Sequence, residues 1–225
     1  MKSCHPICPL CGGANPILEL QYKHFILVRC EVCNLVYADP LEVPPRLYEQ
    51  EYVNPSLIYK AYFEQLNEIK HDKLHITWSW RKFFNLQTNK GRLLDIGCST
   101  GAFMIAAKYR GFEPEGLDIS AEVARTAHEA TGLPIHIGML QDLQFPSGSF
   151  DVVTSWEVLE HVPDPISFGK EILRILKPNG VWALSTPNWR SRWERVANDV
   201  AERRPPFHLV YWSPDPLRRL YRGNL

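Results

Sequence analysis

The chain has 225 residues, of which 45% are hydrophobic and 22% are charged. This length and composition allow one well-buried core and a small accessory module, and they exclude a disordered chain. Twenty-five Lys and Arg residues balance twenty-five Asp and Glu residues, so the chain lacks the overall positive charge expected of a nucleic-acid-binding protein.

Two C-x-x-C pairs stand near the amino terminus. Cys8 and Cys11 are separated by 18 residues from Cys30 and Cys33. Four thiolates at this spacing fit a tetrahedral zinc site, and a short segment with little core gains folding energy from such a metal. We therefore predict a zinc-ribbon module over residues 1–43, with a structural zinc. A ribbon without metal and a disulfide-bonded or redox-active ribbon are the alternatives.

The amino-terminal segment also bears on location. Residues 1–10 lack the apolar core of a secretion signal, and no apolar run approaches the roughly 18 residues of a membrane span. Cysteine pairs of the zinc-binding kind are typical of reducing compartments. Together these features predict a cytoplasmic protein.

Residues 44–90 are predicted to form a helical connector, because they carry aromatic and apolar side chains at partly helical spacing. These side chains are Tyr59, Tyr62, Phe63, Leu66, Ile69, Trp78, Phe83 and Phe84. Most of them are expected to lie in a core. Tyr48, Tyr52 and Tyr59 are the candidates for covering a ligand pocket.

A glycine-containing turn follows the connector. Residues 93–96 predict a buried strand, and Gly97 to Gly101 form a tight turn that opens a helix, whose first N–H groups are free to face a ligand. A second strand, residues 113–119, contains Asp118, which lies 21 residues after Gly97. A carboxylate there can accept hydrogen bonds from ribose hydroxyls. The arrangement predicts a nucleotide-containing cofactor.

The middle of the turn indicates which cofactor. A dinucleotide fold prefers glycine where Ser99 stands, so a pyrophosphate is not expected. The pattern Asp95-x-Gly97-x-Ser99-x-Gly101 resembles motif I of class I S-adenosylmethionine (SAM) methyltransferases, D/E-x-G-x-G-x-G. A nicotinamide or flavin cofactor and a turn that binds nothing are the alternatives. The resemblance assigns the cofactor to Asp95, Gly97, Cys98, Ser99, Gly101, Asp118, Ile119, Asp142, Leu143 and Trp156.

The resemblance continues to about residue 190. Asp142 follows a short strand, where the family places an acid against the adenine amino group, and Trp156 is expected to pack over the cofactor. Residues 149–162 resemble the family's F-D-x-V…E-H segment, and residues 172–180 its L-K-P-G-G turn. Strands alternate with capped helices, which predicts an α/β, Rossmann-like, mainly parallel sheet over residues 91–189, in the order 3-2-1-4-5.

The residues after the fourth strand are the catalytic candidates. His161 is the best-placed general base, flanked by Glu157 and Glu160, with His208 as a second candidate. The alternative for His161 is a histidine that holds the loop or the cofactor. Residues 155–158 lack the N/D-P-P-Y/F motif of many enzymes that methylate base or amide nitrogens. Oxygen or carbon acceptors are therefore favoured.

The carboxy-terminal residues 190–225 are predicted to be a helical tail with eight Arg against four acidic residues. The tail is a solvated surface or a dock for an anionic substrate. Strands six and seven of the family's sheet are expected to be missing, so the fifth strand, residues 181–185, is predicted to lie at an edge. A second copy or another partner would cover that edge.

The combined pattern resembles bacterial methyltransferases that modify sugars or cell-envelope glycans. The predicted function is therefore transfer of a methyl group from SAM to an oxygen or carbon atom of a small molecule, sugar or glycan. An RNA or protein methyltransferase that uses the ribbon to hold its target is one alternative. A non-catalytic SAM-binding module is the other.

Overall fold

The computed structural model describes residues 7–21, 25–41, 76–88, 90–191, 205 and 207–223. The chain divides into two compact units: the first comprises Met1–Val43, Glu157–Lys170 and Thr186–Leu225, and the second comprises Pro44–Trp156 and Glu171–Ser185. Several predicted connector residues lie outside the described residues, namely Tyr48, Tyr52, Tyr59, Tyr62, Phe63, Leu66 and Ile69.

Nine strands, five α-helices and one 3-10 turn are found in the described part of the chain. In chain order they are β1 (Ile17–Gln21), β2 (Ile26–Arg29), β3 (Val36–Asp39), α1 (Trp78–Leu86), β4 (Arg92–Ile96), α2 (Ala102–Lys108), β5 (Glu113–Asp118), α3 (Ala121–Thr131), β6 (Ile135–Ile137), β7 (Phe150–Trp156), the 3-10 turn (Leu159–His161), α4 (Pro165–Ile175), β8 (Leu176–Ser185), β9 (Val210–Tyr211) and α5 (Pro214–Gly223). None of these helices is long and apolar enough to span a membrane.

The second unit contains a five-stranded parallel sheet in the order β6-β5-β4-β7-β8. This confirms the α/β fold class and the predicted strand order. Leu93 and Leu94 on β4 and Val152 and Val153 on β7 are fully buried. Continuous apolar runs of this kind are expected where helices cover both faces of a parallel sheet.

Aromatic side chains form the core beside α1 and α2. The ring of Phe103 on α2 lies 5.7 Å from that of Phe83 and 5.4 Å from that of Phe84, both on α1, and 5.2 Å from the Trp156 ring at the end of β7. The expectation that connector side chains lie in a core is therefore correct for Phe83, which is buried. Trp78, by contrast, is 74% exposed.

The N-cap of α4 is the one that the sequence indicates, but the strand that follows this helix begins earlier than predicted. The Asp164 carboxylate accepts the Ser167 N–H at 3.0 Å, as expected of an N-cap. On α4, Phe168, Ile172 and Ile175 are buried, whereas Leu173 is 46% exposed. The strand itself begins at Leu176, not Val181, and its pairing with β7 shifts register between these two residues.

The first unit contains a four-stranded antiparallel sheet in the order β1-β2-β3-β9. Val36 and Tyr37 of β3 pair with Tyr211 and Val210 of β9. The segment predicted to be a helical tail thus adds a strand to the ribbon sheet before α5 begins. A strand of two residues is too short to show the alternation of apolar and polar residues by which a strand is predicted.

We expect Phe103→Ala to destabilise the second unit by about 3–5 kcal/mol, the usual cost of removing a buried Phe side chain. Urea denaturation followed by tryptophan fluorescence measures the change. Tyr109→Ala is the matched control, because Tyr109 is an aromatic residue at the end of the same helix and is 66% exposed. Equal stabilities of the two variants would contradict the assignment of Phe103 to the core.

Candidate functional site

The turn between β4 and α2 is held in left-handed backbone geometry. Gly97, Ser99 and Gly101 have φ values of 67°, 47° and 75°. Gly97 is exposed, so its backbone is open to a ligand. Ser99 adopts the left-handed conformation that a glycine would take at lower energetic cost. The serine therefore preserves the geometry of the motif from which its side chain departs.

Asp118, at the carboxyl end of β5, holds this turn in place. Its Oδ2 accepts the Ser99 N–H at 3.0 Å, and its Oδ1 accepts the Ser120 N–H at 2.9 Å. Burial raises the pKa of Asp118, and these hydrogen bonds oppose the shift. A carboxylate offers about four acceptor positions, so capacity remains for ribose hydroxyls. The residue thus fits the role that the sequence predicts.

Asp95 and Cys98 point into the core. Asp95 is buried and its Oδ1 accepts the Thr154 hydroxyl at 2.7 Å, while burial raises the pKa of Asp95 to about 7. The side chain of Cys98 packs in a cluster with Met104. A Cβ added at Gly116 would lie 2.7 Å from the Cys98 Sγ, so β5 needs glycine there. Only the backbone of Cys98 is thus placed to line the turn.

Apolar side chains are left exposed beside Asp118. Ile119 and Ile137 are each 45% exposed, and Met139 is 50% exposed. Ile137 pairs directly with Asp118 across the two strands. An uncovered apolar surface next to a buried carboxylate can accommodate a flat ring such as a purine. Ile119 was predicted to contact the cofactor, whereas Ile137 and Met139 were not, although apolar residues at the end of a strand were a signal for them.

The remaining predicted cofactor residues lie nearby in the second unit. Asp142 is exposed and Leu143 is half-buried in the loop that follows β6. Trp156 ends β7 and packs edge-on against Phe103. Its indole Nε1 is buried and has no hydrogen-bond partner among the described residues. A buried donor without a partner carries a free-energy cost.

Four thiols converge in the first unit. The Sγ atoms of Cys8 and Cys33 lie 3.5 Å apart, as do those of Cys11 and Cys30, and all four lie within 4.8 Å of one another. A disulfide needs about 2.05 Å between sulfurs, whereas a tetrahedral zinc site with Zn–S bonds of about 2.3 Å needs about 3.8 Å. The cluster therefore fits a metal and not disulfides.

The two cysteine pairs adopt matching turns. The Gly12 N–H donates to the Cys8 carbonyl, and the Asn34 N–H donates to the Cys30 carbonyl, each at 2.9 Å. Gly12 and Asn34 each follow the second cysteine of a pair and have φ values of 69° and 61°. Glycine and asparagine are the residues that tolerate this conformation best. The sequence thus encodes two equivalent knuckles.

The catalytic candidates His161 and His208 meet in the first unit. Their ring centroids are 4.9 Å apart. Glu160 joins them, since the side-chain donor and acceptor atoms of the three residues lie within 4.8 Å of one another. Glu160 is 2% exposed and accepts the Thr186 hydroxyl at 3.0 Å. Of the two acids predicted to flank His161, Glu160 is in this group, whereas Glu157 is exposed and is not part of it.

His161 is oriented by the backbone. Its Nδ1 lies 2.8 Å from the Phe207 carbonyl oxygen, so Nδ1 carries the proton and Nε2 is the acceptor in the neutral ring. Burial lowers the pKa of His161, which favours that neutral form near pH 7. The Leu209 backbone connects this group to the ribbon, because its N–H donates to the Glu160 carbonyl and its carbonyl accepts the Ala38 N–H, each at 2.8 Å.

Known proteins resemble the chain over most of its length. The sequence profile of a family described as "Methyltransferase domain" matches residues 66–224. A 2-methyl-6-phytyl-1,4-hydroquinone methyltransferase from Synechocystis is 37% identical over 156 residues, which are 67% of this chain and 45% of that protein. A ubiquinone biosynthesis O-methyltransferase from Sodalis glossinidius is 30% identical over 206 residues, 77% of this chain and 82% of that protein.

Solved structures share the fold. A SAM-dependent methyltransferase from Thermotoga maritima superposes with a TM-score of 0.55 at 24% identity, covering 78% of this chain and 76% of that one. The chain spans less than half of the Synechocystis relative, at 45% of its length. The profile match, the sequence relatives and the parallel sheet agree, and the chain belongs to the class I SAM-dependent methyltransferases.

Proposed function

We propose that this protein transfers the methyl group of SAM to an oxygen or carbon atom of a small molecule. The observation that carries the proposal is Asp118, a buried carboxylate with spare acceptor capacity at the carboxyl edge of the sheet. The names of the Synechocystis and Sodalis relatives, a hydroquinone methyltransferase and a ubiquinone biosynthesis O-methyltransferase, support a small-molecule acceptor. A sugar or glycan acceptor is a narrower prediction.

The turn after β4, Asp118 and the exposed apolar side chains beside it would each hold one part of the cofactor. Asp118 accepts the ribose hydroxyls, and the exposed side chains of Ile119, Ile137 and Met139 cover the adenine ring. The backbone of the turn from Gly97 to Gly101 would lie against the remaining part of SAM. When bound, SAM supplies an electrophilic methyl group on a positively charged sulfur. The protein then has to align the acceptor and remove one proton.

We expect Asp118→Asn to weaken SAM binding by about tenfold to a hundredfold, because hydrogen bonds to a charged acceptor contribute about 1.5–3 kcal/mol each. Isothermal titration calorimetry measures the dissociation constant. Glu113→Gln is the matched control, since Glu113 lies exposed at the opposite end of the same strand.

Asp118 also holds two backbone N–H groups, so thermal unfolding of each variant must accompany the titration. Unchanged affinity in a folded Asp118→Asn variant would refute the ribose assignment. A wild-type protein that is folded and does not bind SAM would refute the proposed function. Methyl transfer measured with small phenolic acceptors separates an enzyme from a module that binds SAM without turnover.

His161 is the proposed general base. Its Nδ1 proton is held by the Phe207 carbonyl, so Nε2 is the nitrogen that can take a proton from the acceptor. The neutral ring is favoured because burial lowers its pKa. Glu160, buried beside it, would stabilise the imidazolium that forms. His208 is the second candidate for the base, because its ring lies beside that of His161.

We expect His161→Gln to lower kcat by about 100-fold, within the usual range for a lost general base. Wild-type activity should fall as the pH drops through a value below about 6.5, the ordinary pKa of histidine, because only the neutral ring accepts a proton. A pH profile of kcat checks this. The variant should lose the acidic limb, whereas His128→Gln, on α3, should keep it. An unaltered limb in His161→Gln would leave His161 a structural role.

We further propose that Cys8, Cys11, Cys30 and Cys33 hold one structural zinc ion. The support is the convergence of four thiols at metal-ligand spacing on two matching turns. The first unit joins this cluster to β3 and β9, so the metal would stabilise the sheet. No catalytic role is assigned to it, since four protein ligands leave no open coordination position.

The purified protein is expected to contain about one zinc ion per chain, measured by inductively coupled plasma mass spectrometry. Cys33→Ser should lose the metal and lower the melting temperature. Cys98→Ser is the control, because Cys98 is buried but lies outside the cluster. A metal-free wild-type protein with an unchanged melting temperature in chelator would contradict the zinc assignment.

A further inference from the structure

An open cavity of about 330 Å³ lies within the first unit. It is lined by residues 186–188, by Trp212 and Ser213, and by α5. Four α5 residues face the cavity, namely Pro214, Leu217, Arg218 and Tyr221. They share one face of the helix because they are spaced three or four positions apart. The volume is at the lower end of the range for small-molecule sites, roughly 300–1,000 Å³.

The wall of this cavity supports the 3-10 turn that carries His161. The Thr186 hydroxyl donates to the Glu160 carboxylate at 3.0 Å. The Trp212 indole N–H donates to the Leu159 carbonyl at 3.1 Å. Both donors belong to residues that line the cavity. A ligand that fills it would therefore touch the side chains that fix the proposed base and its carboxylate partner.

Two guanidinium groups share one carboxylate at the edge of the cavity. Arg218 Nη1 lies 2.9 Å from one oxygen of Asp215, and Arg190 Nη1 lies 3.6 Å from the other. The backbone N–H of Arg190 also donates to Asn188 Oδ1 at 3.1 Å. Because Asn188 lines the cavity, this bond holds Arg190 beside the cavity wall. One positive charge is in excess within this described group. All three side chains are more than half exposed, so that charge is accessible to an anion.

The interior of the cavity, in contrast to its charged rim, is mainly apolar. Pro187, Pro214 and Leu217 present apolar side chains, and Trp212 and Tyr221 add aromatic ones. Flat apolar rings pack well against such a surface. The cavity therefore combines an apolar interior with a rim that favours a single negative charge.

We propose that this cavity binds the methyl acceptor, and that the acceptor is an aromatic carboxylate or a close equivalent. The ring occupies the apolar interior, and the anionic group lies at the rim formed by Arg190, Asp215 and Arg218. The acceptor role rests on the proposed methyltransferase function. The binding of an aromatic carboxylate does not rest on that function, because it can be measured without SAM.

The probes are 2-naphthoate and its neutral counterpart 2-naphthamide, titrated calorimetrically into the full chain without SAM. The naphthoate is expected to bind about tenfold more tightly, since a charge-assisted contact at an exposed rim contributes on the order of one power of ten. Raising the salt concentration should reduce this difference, because exposed charges are screened.

Two substitutions each remove the excess charge. Arg218→Gln and Arg190→Gln should both lower naphthoate affinity to about that of the naphthamide, and neither should alter naphthamide binding. Arg219→Gln is the matched control, because Arg219 is exposed on the same helix and does not line the cavity. Leu217→Trp should fill the cavity and weaken both ligands. Thermal unfolding shows whether each variant folds.

Three results would overturn the inference. Naphthoate could fail to bind the folded wild-type chain, it could bind no better than naphthamide with no effect of Arg218→Gln, or it could compete with SAM and so occupy the cofactor cleft. Loss of SAM binding in the same wild-type sample would refute the proposed function instead. The two failures are therefore distinguishable.

Discussion

The Asp118 carboxylate is the group on which the candidate cofactor site depends. Parallel strands bring their carboxyl ends to one edge of a sheet, where the backbone N–H groups of the following turns need acceptors. Asp118 accepts two of them, from Ser99 and Ser120, and so fixes the turn after β4 and the start of α3 relative to the end of β5. Because it keeps acceptor capacity, the same side chain can organise the edge and bind a ribose.

The first unit is assembled from segments that are far apart in the chain. The four thiols lie beside the sheet, β9 pairs with β3, and the Leu209 backbone bridges Ala38 and Glu160. The cysteine cluster and the histidine group are therefore parts of one folded body.

Much of the site could be predicted because its signals are local. The glycine turn, the acid at the end of the second strand and the cysteine knuckles each need only a few neighbouring residues to specify their geometry. Asp95 and Cys98 show the limit of this reasoning. Their positions in the motif were read as cofactor contacts, but their side chains lie in the core, against Thr154 and Met104. Which way a side chain points at a strand end depends on packing from other elements.

The sequence by itself determined the α/β class, the strand order, the family and the cysteine cluster, because periodicity, caps and short motifs are written in adjacent residues. Tertiary structure alone decided that β9 joins the ribbon sheet, that His208 meets Glu160 and His161, and that α5 lines a cavity with a charged rim. These features depend on contacts between residues tens of positions apart, which no local pattern records.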